Sequence, residues 1–254
     1  MMRSSHYYDL THELLKKELK VRYKRLTLGY FWSIGSPLMY AGLYWVVFVK
    51  IIKMKTENYP LFLVASLFPW QWMMNTINAG PATFVSNASL IKKTLFPRFL
   101  IPVVVSLQDA IHYLISVPVV LLLMFFFHGT FSWHWLYAFP FLFLIQFGIA
   151  LGLNMIFATL SVFFGDIERF LQIGTTFLFY LTPVLYSETL IPEKYQWLIL
   201  YHPLAPLIIN WRNLFMQGTI RMDYLLASFS WTVLILLFAR WVYLKLSWRF
   251  AEVL

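Results

Sequence analysis

Two ionisable side chains lie inside apolar segments of the sequence, where a charge is costly and usually has a structural or functional role. Asp109 falls within one such segment and Arg240 within another, and His112 follows Asp109 by about one helical turn. Intramembrane charges of this kind pair with one another or relay protons. Because no further carboxylates accompany Asp109 and His112, we expect a structural contact between Asp109 and Arg240 rather than a relay.

A second pair of carboxylates, Asp166 and Glu168, could bind a metal ion. Their surroundings in the stretch FGDIERF (164–170) are more typical of a tight turn with an internal ion pair, which is the interpretation we favour. The six histidines show no H-E-x-x-H spacing, and the sequence lacks both cysteine and a G-x-S-x-G motif. We therefore expect no catalytic, cofactor-binding or metal-binding residues.

No glycine in the sequence is followed by lysine, so the phosphate-binding loop G-x-x-x-x-G-K-[ST] is absent. If the protein performs ATP-driven work, the ATPase must be another chain. That partner would also hold the ATP and Mg²⁺.

Aromatic side chains recur at four-residue spacing in the first apolar segment, as Tyr40, Tyr44 and Phe48. A tyrosine near the middle of a membrane span needs a partner for its hydroxyl, so it faces protein or water. A sugar chain could slide along such rings and exchange hydrogen bonds with the hydroxyls. Helix packing is an equal alternative for any single ring. We take the three residues as candidates to line a pore.

The composition indicates that the elements holding these residues lie in a membrane. The chain is 60% hydrophobic, 20% aromatic and 12% charged, with a mean hydropathy of +0.68, whereas a soluble domain of 254 residues needs far more polar surface. A net charge of +9 would suggest nucleic acid for a soluble protein. Here it reflects lysines and arginines retained at a cytoplasmic face, and we expect no nucleic-acid partner.

Six segments have the length and apolar character of membrane spans, so the sequence predicts an all-α membrane protein. Pro69 and the polar residues Gln71, Asn75 and Asn78 interrupt the second span, and the fifth span is short. Gly148 and Gly152 in the fourth span indicate close helix packing. The predicted spans cover residues 30–52, 61–85, 100–127, 134–163, 170–187 and 222–246.

Two further segments are helical in pattern without spanning the membrane. Residues 9–27 carry one apolar stripe among basic residues, which is typical of an amphipathic helix in the membrane interface. A soluble helix is the alternative, but no soluble domain accompanies it. Segment 188–221 is apolar but interrupted by three prolines, so we expect two short re-entrant or interfacial helices there. The chain thus divides into an interface helix at 1–29 and a membrane domain at 30–254.

The lysine and arginine distribution predicts the orientation. If both termini are cytoplasmic, the cytoplasmic segments hold 13 of these residues and the opposite face holds six. The basic loop 87–99 then lies in the cytoplasm, and 188–221 lies on the far side.

Several stretches taken together resemble the ABC-2 family of polysaccharide export permeases. The resemblance runs in order from about residue 10 to the end, and the run SNASLIKKTLFPR (86–98) is its most specific element. The other stretches are RYKRLTLGYFW (22–32), LFPW (67–70), FFGDIER (163–169), TPVLY (182–186), IPEKY (191–195) and RFAEVL (249–254).

The resemblance implies a homodimer of six-span subunits in the bacterial inner membrane, with a dimer of ABC ATPase subunits on the cytoplasmic side. The substrate it implies is a polysaccharide on a lipid carrier, most closely an O-antigen. The 90–98 segment would be the helix that couples the permease to the ATPase, although retention of topology alone is an alternative for its charges. The implied coupling residues are Leu90, Ile91, Lys92, Lys93, Phe96, Pro97 and Arg98.

Arg22, Lys24 and Arg25 could receive the anionic headgroup of the carrier at a cytoplasmic entrance. Two other classes fit the sequence less well. A membrane-embedded glycosyl- or phosphoglycosyl-transferase would need carboxylates that only Asp166 and Glu168 offer. A proton-coupled secondary transporter would need a larger titratable network than Asp109 and His112.

Overall fold

Long apolar helices make up most of the molecule in the computed structural model, which describes residues 4–23, 31–53, 58–93 and 97–254. All regular structure in these ranges is helical. The α-helices are α1 (Ser4–Tyr23), α2 (Phe31–Trp45), α3 (Tyr59–Val85), α4 (Ala88–Lys93), α5 (Leu100–Phe126), α6 (His134–Ser161), α7 (Ile167–Leu181), α8 (Glu193–Gln196), α9 (Leu198–Tyr201), α10 (Ala205–Gln217), α11 (Met222–Leu246) and α12 (Phe250–Val253).

The six predicted spans correspond to α2, α3, α5, α6, α7 and α11. Helix α2 continues as a π-helical turn over Val46–Ile51, so its axis covers nearly the whole predicted first span. Among the described helices, four are long and apolar enough to cross a membrane: Ile34–Ile51, Leu100–Phe126, His134–Ser161 and Met222–Arg249. Helix α3 has 27 residues but carries polar side chains, and α7 has only 15 residues.

Helix α3 packs against most other long helices of the bundle, and α6 is hydrogen-bonded to it at three positions along its length. Gln146 Nε2 donates to the Pro69 carbonyl at 2.7 Å, and Asn154 Nδ2 donates to the Thr76 carbonyl at 2.6 Å. Ser161 Oγ donates to the Pro81 carbonyl at 2.9 Å. The three donors are seven or eight residues apart, so they share one face of α6. Interhelical hydrogen bonds of this kind hold membrane helices together where the hydrophobic effect does not.

Two glycines let α6 approach α11 closely, as the sequence predicted. A Cβ on Gly148 would lie 2.5 Å from Thr232 Cγ2, and one on Gly152 would lie 2.7 Å from Ile235 Cγ2. Thr232 cannot rotate away freely, because its hydroxyl donates to the Ser228 carbonyl at 2.8 Å. The small residues therefore set the distance between the two helices.

The segment between α7 and α11 contains a 3₁₀ turn, two single-turn helices and one 13-residue helix, so the prediction of two short helices is wrong in number. The prolines act as expected at helix starts. Pro192 precedes α8, and Pro206 occupies the first turn of α10, where its missing N–H costs nothing. Helix α10 is the only substantial helix of the segment and is almost wholly buried.

A histidine caps α10. His202 Nδ1 accepts hydrogen bonds from the backbone N–H groups of Leu204 (3.1 Å) and Ala205 (3.0 Å). Only an unprotonated Nδ1 can accept, so the capped state requires the neutral imidazole. Burial lowers the pKa of His202, which favours that state.

An arginine on α10 fixes the end of α7. Arg212 is buried, ion-paired with Glu188, and its Nη1 donates to the Pro183 carbonyl at 2.8 Å. Its guanidinium lies 4.4 Å from the centre of the Phe62 ring on α3. A buried charge is tolerated only when it is paired and hydrogen-bonded in this way. Arg212 thus joins α3, α10 and the chain that leaves α7.

We predict that Gly148→Ala destabilises the bundle by about 1–3 kcal/mol, because the added methyl group must displace a threonine that is held by a hydrogen bond. Gly174→Ala on α7 is the matched control, since a Cβ there would meet nothing within 4 Å. Thermal unfolding of detergent-purified protein measures both. Equal melting temperatures for the two variants would show that α6 and α11 do not pack as closely as described.

Candidate functional site

One face of α3 remains open while the rest of the helix is buried. The open residues after its first turn are Gln71, Asn75, Asn78, Ala79, Ala82 and Val85, which lie on one side at helical spacing. Three of them carry amides. We call Gln71, Asn75, Asn78 and Ala82 the polar stripe. Lipid cannot satisfy amide groups, so the polar stripe must face water, substrate or another protein surface.

A groove of about 510 Å³ lies over the N-terminal half of this stripe, at Gln71 and Asn75, between α2, α3 and α7. Polar and apolar groups line it in comparable measure, which distinguishes it from a gap between lipid-facing side chains. Its lining residues are Ser36, Tyr40, Tyr44, Leu67, Trp70, Gln71, Met74, Asn75, Thr175, Thr176, Phe179 and Tyr180.

Aromatic rings form a continuous surface along the groove. Tyr40 stacks on Tyr44 with ring centres 6.4 Å apart, and Phe179 of α7 lies 5.9 Å from Tyr44 and 5.6 Å from Trp70. The structure therefore brings Tyr40 and Tyr44 together in a groove. Phe48 does not line it, but packs at its end between Tyr44 (6.4 Å) and Tyr59 (6.2 Å).

Helix α7 forms one wall of the groove and is weakly held. Leu171 is its only buried residue, whereas most positions of α3 are buried. On the other side of α7 lies an apolar cavity of about 320 Å³, lined by Gly174 and Leu178 of α7 and by residues of α3, α6 and α11. A helix with space on both sides can shift with little loss of packing.

The α4 end of the bundle has a small hydrophobic core of its own. Ile91 of α4 is 3% exposed and packs in one cluster with Phe84 of α3 and Phe250 of α12. Arg98 Nη1 donates to the Ser247 carbonyl at 2.7 Å, which ties the start of α5 to the end of α11. Lys17 Nζ of α1 donates to Asn87 Oδ1 at 3.1 Å. Helix α4 thus packs against α3 and α12, and Asn87, which precedes it, is hydrogen-bonded to α1.

The predicted coupling residues therefore divide by position. Lys92 is exposed on α4, Leu90 is half-buried, and Ile91 faces inward as an anchor. Pro97 and Arg98 lie at the start of α5 and are half-buried. Phe96, Lys24 and Arg25 lie outside the described residues. Arg22 lies in α1 and Lys93 ends α4, but their side chains are outside the described part of the structure.

The predicted contact between Asp109 and Arg240 is wrong for the single chain. Asp109 is buried and accepts a hydrogen bond from Thr76 Oγ1 at 3.0 Å. Arg240 is exposed on α11, a helix that packs against α6 and α10, whereas α5 packs against α1, α3 and α6. Among the ion pairs of the described residues, none joins the two. Sequence depth alone did not show that the two helices lie apart.

The carboxylates at the start of α7 occupy a turn, as predicted, but the internal ion pair is wrong. Asp166, Glu168 and Arg169 are all exposed, and within the described ranges no ion pair joins them. Glu168 instead lies in the first turn of α7, where a negative charge interacts favourably with the helix dipole. In the part of the chain that the structure describes, His, Asp and Glu form no group of three that could hold a metal ion.

Sequence reasoning missed half of the groove. It identified Tyr40 and Tyr44 by their spacing and noted Gln71 and Asn75 only as interruptions of a span. On the α7 side, the individual residues Thr175, Thr176 and Phe179 were not identified. The adjacent threonines within an apolar helix were the available signal, since hydroxyl groups in a span need a partner.

Comparison with known proteins places this arrangement in a family. The chain matches the ABC-2 type transporter family over residues 10–216. An O-antigen export system permease protein RfbA of Klebsiella pneumoniae is 38% identical over 247 residues, covering 97% of this chain and 95% of that protein. The Myxococcus xanthus protein of the same name is 27% identical, covering 83% of this chain and 82% of its own length.

A fourth similarity extends the substrate range of the relatives. The polysialic acid transport protein KpsM of Escherichia coli is 24% identical over 210 residues, covering 82% of this chain and 81% of that protein. These matches cover the groove, the α4 end and most of the bundle. The chain is a multi-pass membrane protein that belongs to the ABC-2 type transporter family.

Proposed function

We propose that this protein is the membrane-spanning permease subunit of an ABC transporter that exports a lipid-linked polysaccharide, most closely an O-antigen, across the bacterial inner membrane. The similarity to O-antigen export permeases over 97% of the chain supports the substrate class. The observation that carries the proposal is the polar stripe on α3, because two of its amides, Gln71 and Asn75, line a groove of tyrosines and threonines between otherwise apolar helices.

The chemistry of the groove suits a sugar polymer. Amides and hydroxyls can exchange hydrogen bonds with sugar hydroxyls as the chain moves, and no single strong contact holds it in place. Aromatic faces offer apolar contact to the ring C–H groups. No charged residue is among those lining the groove in the described structure, so a neutral polymer meets no electrostatic barrier there.

We further propose six spans with both termini in the cytoplasm. Helices α3 and α7 would cross the membrane beside a second copy of the chain and an aqueous path, which is compatible with the polar side chains of α3 and the short length of α7. The exposed α7 side chains Phe170, Ile173 and Phe177 would be covered in a homodimer. The α4 end then lies in the cytoplasm, and α10 lies on the far side.

The motive force would come from an ABC ATPase dimer docked at the α4 end. Lys92 is exposed there, while Ile91 anchors α4 to α3 and α12, so a push on α4 reaches the membrane helices through a packed core. The weakly held α7 is the element with room to shift between two packings. Arg212 would hold the far end of α7 during that shift.

We expect Tyr44→Leu to lower the rate of polymer export about threefold to tenfold, because one aromatic contact is worth about 0.5–1.5 kcal/mol. Surface polysaccharide is measured after induction in a strain that lacks its own permease gene. Tyr137→Leu is the matched control, since Tyr137 is an exposed aromatic residue on α6 that does not line the groove. Equal export by both variants would remove the groove from the transport path.

Lys92→Glu tests the docking of the ATPase. Charge reversal at an exposed interface residue costs several kcal/mol when it places like charges together, so export should fall roughly tenfold or more. The purified permease should keep its melting temperature, because Lys92 is exposed. Lys194→Glu, an exposed lysine of α8 at the other end, is the control. Co-purification of the ATPase with the Lys92→Glu variant at the normal ratio would place the docking surface elsewhere.

A further inference from the structure

A second cavity, lined by both polar and apolar side chains, lies at the α4 end, between α1, α3 and α5. Its volume is about 260 Å³, and it is separate from the groove described above. Carboxylates, amides and two hydroxyls line it, contributed by Glu18, Asn75, Thr83, Ser86, Asn87, Gln108 and Asp109. Such a concentration of hydrogen-bonding groups inside a membrane protein indicates a polar occupant.

Gln108 carries the strongest indication of a ligand. Its side chain is only 6% exposed, lines the cavity, and makes no hydrogen bond to any residue that the structure describes. Buried amides are satisfied in the great majority of cases. The Gln108 amide is not among the fully enclosed groups that lack a partner, so it opens onto the cavity. The Gln108 amide presents two donors and one acceptor to whatever occupies the cavity.

Other groups in the cavity wall are already positioned by protein contacts. Asp109 accepts from Thr76 Oγ1 at 3.0 Å. Asn87 Nδ2 donates to the Thr83 carbonyl at 3.0 Å, and Asn87 Oδ1 accepts from Lys17 Nζ at 3.1 Å. The wall is therefore held in place before a ligand arrives, which lowers the entropic cost of binding.

Asn75 connects this cavity with the groove, because it lines both. Ala82, which also lines the cavity, continues the polar stripe towards α4. The two sites thus lie in sequence along one face of α3.

We infer that the cavity between α1, α3 and α5 is a subsite that binds a single sugar ring of the polymer before it enters the groove. This inference rests on the proposed function. Neighbouring amides and carboxylates match the paired donor and acceptor character of sugar hydroxyls. The volume is below the roughly 300–1,000 Å³ typical of drug-sized ligands, so one ring fits and a longer chain does not.

Photocrosslinking in cells tests the subsite. The photoreactive residue p-benzoylphenylalanine replaces Ala82 in the cavity, Val85 as a matched position, or Tyr40 in the groove. Ala82 and Val85 are both exposed on α3, but only Ala82 lines the cavity. After illumination, the permease band is probed with antiserum against the exported polysaccharide. We expect polysaccharide adducts from the Ala82 and Tyr40 positions and none from Val85.

The outcomes separate the subsite from the groove. Adducts at Tyr40 without adducts at Ala82 overturn the subsite and leave the proposed function in place. Absence of adducts at both positions overturns both. If position 82 gives adducts with phospholipid alone, the cavity binds lipid and the inference is overturned. If added Mg²⁺ or Ca²⁺ abolishes the polysaccharide adducts at position 82, the cavity binds a cation and the inference is likewise overturned.

Gln108→Leu supplies an independent readout. Loss of one neutral hydrogen bond to the sugar should lower export about fivefold, which corresponds to about 1 kcal/mol. The melting temperature should not fall, since Gln108 makes no hydrogen bond to any residue that the structure describes. Ser106→Ala is the control on the same helix, because Ser106 is buried and bonded only to the Pro102 carbonyl. Unchanged export by Gln108→Leu would also overturn the subsite.

Discussion

The bundle depends on the requirement that polar groups within lipid find partners inside the protein. Three side chains of α6 meet this requirement by donating to three carbonyls of α3, and Trp211 of α10 extends the contact by donating to Gln146 Oε1 at 2.5 Å. These bonds fix one side of α3 against the bundle. The polar side chains on its other side are then left for a path that lipid does not fill.

The same constraint explains how rigid and movable parts are divided. Helices α3, α6 and α11 are joined by hydrogen bonds and by glycines that permit close contact, so they form a frame. Helix α7 has one buried residue and space on both sides. Its far end is fixed by Arg212, and the α4 end has its own small core around Ile91. A transporter needs this combination, because a conformational change at one end must shift one helix that lines the path while the other helices keep their packing.

Periodicity and apolar length in the sequence were sufficient to predict the six helices that correspond to the predicted spans, and tyrosine spacing predicted one side of the groove. The sequence could not show which helices meet. The predicted contact between Asp109 and Arg240 was wrong because two residues at equal depth in the membrane can lie on helices that do not pack together. The role of Gln146 and Asn154 as donors to α3 also depends on tertiary contacts that no local pattern encodes. The cap that His202 places on α10 is a local contact, but the sequence analysis did not predict it.

The central claim is that the polar stripe on α3 borders water. The chain contains no cysteine, so the reactivity of single introduced cysteines can measure this directly. Single cysteines at Gln71, Asn75 and Asn78 are treated in membranes with a charged, membrane-impermeant thiol reagent, with Phe125→Cys, 77% exposed on an apolar face of α5, as the lipid-facing reference. We expect the stripe positions to react much faster than position 125, because they border water. Equal and slow reaction at all four positions would mean that α3 faces lipid and that no hydrated path runs along it.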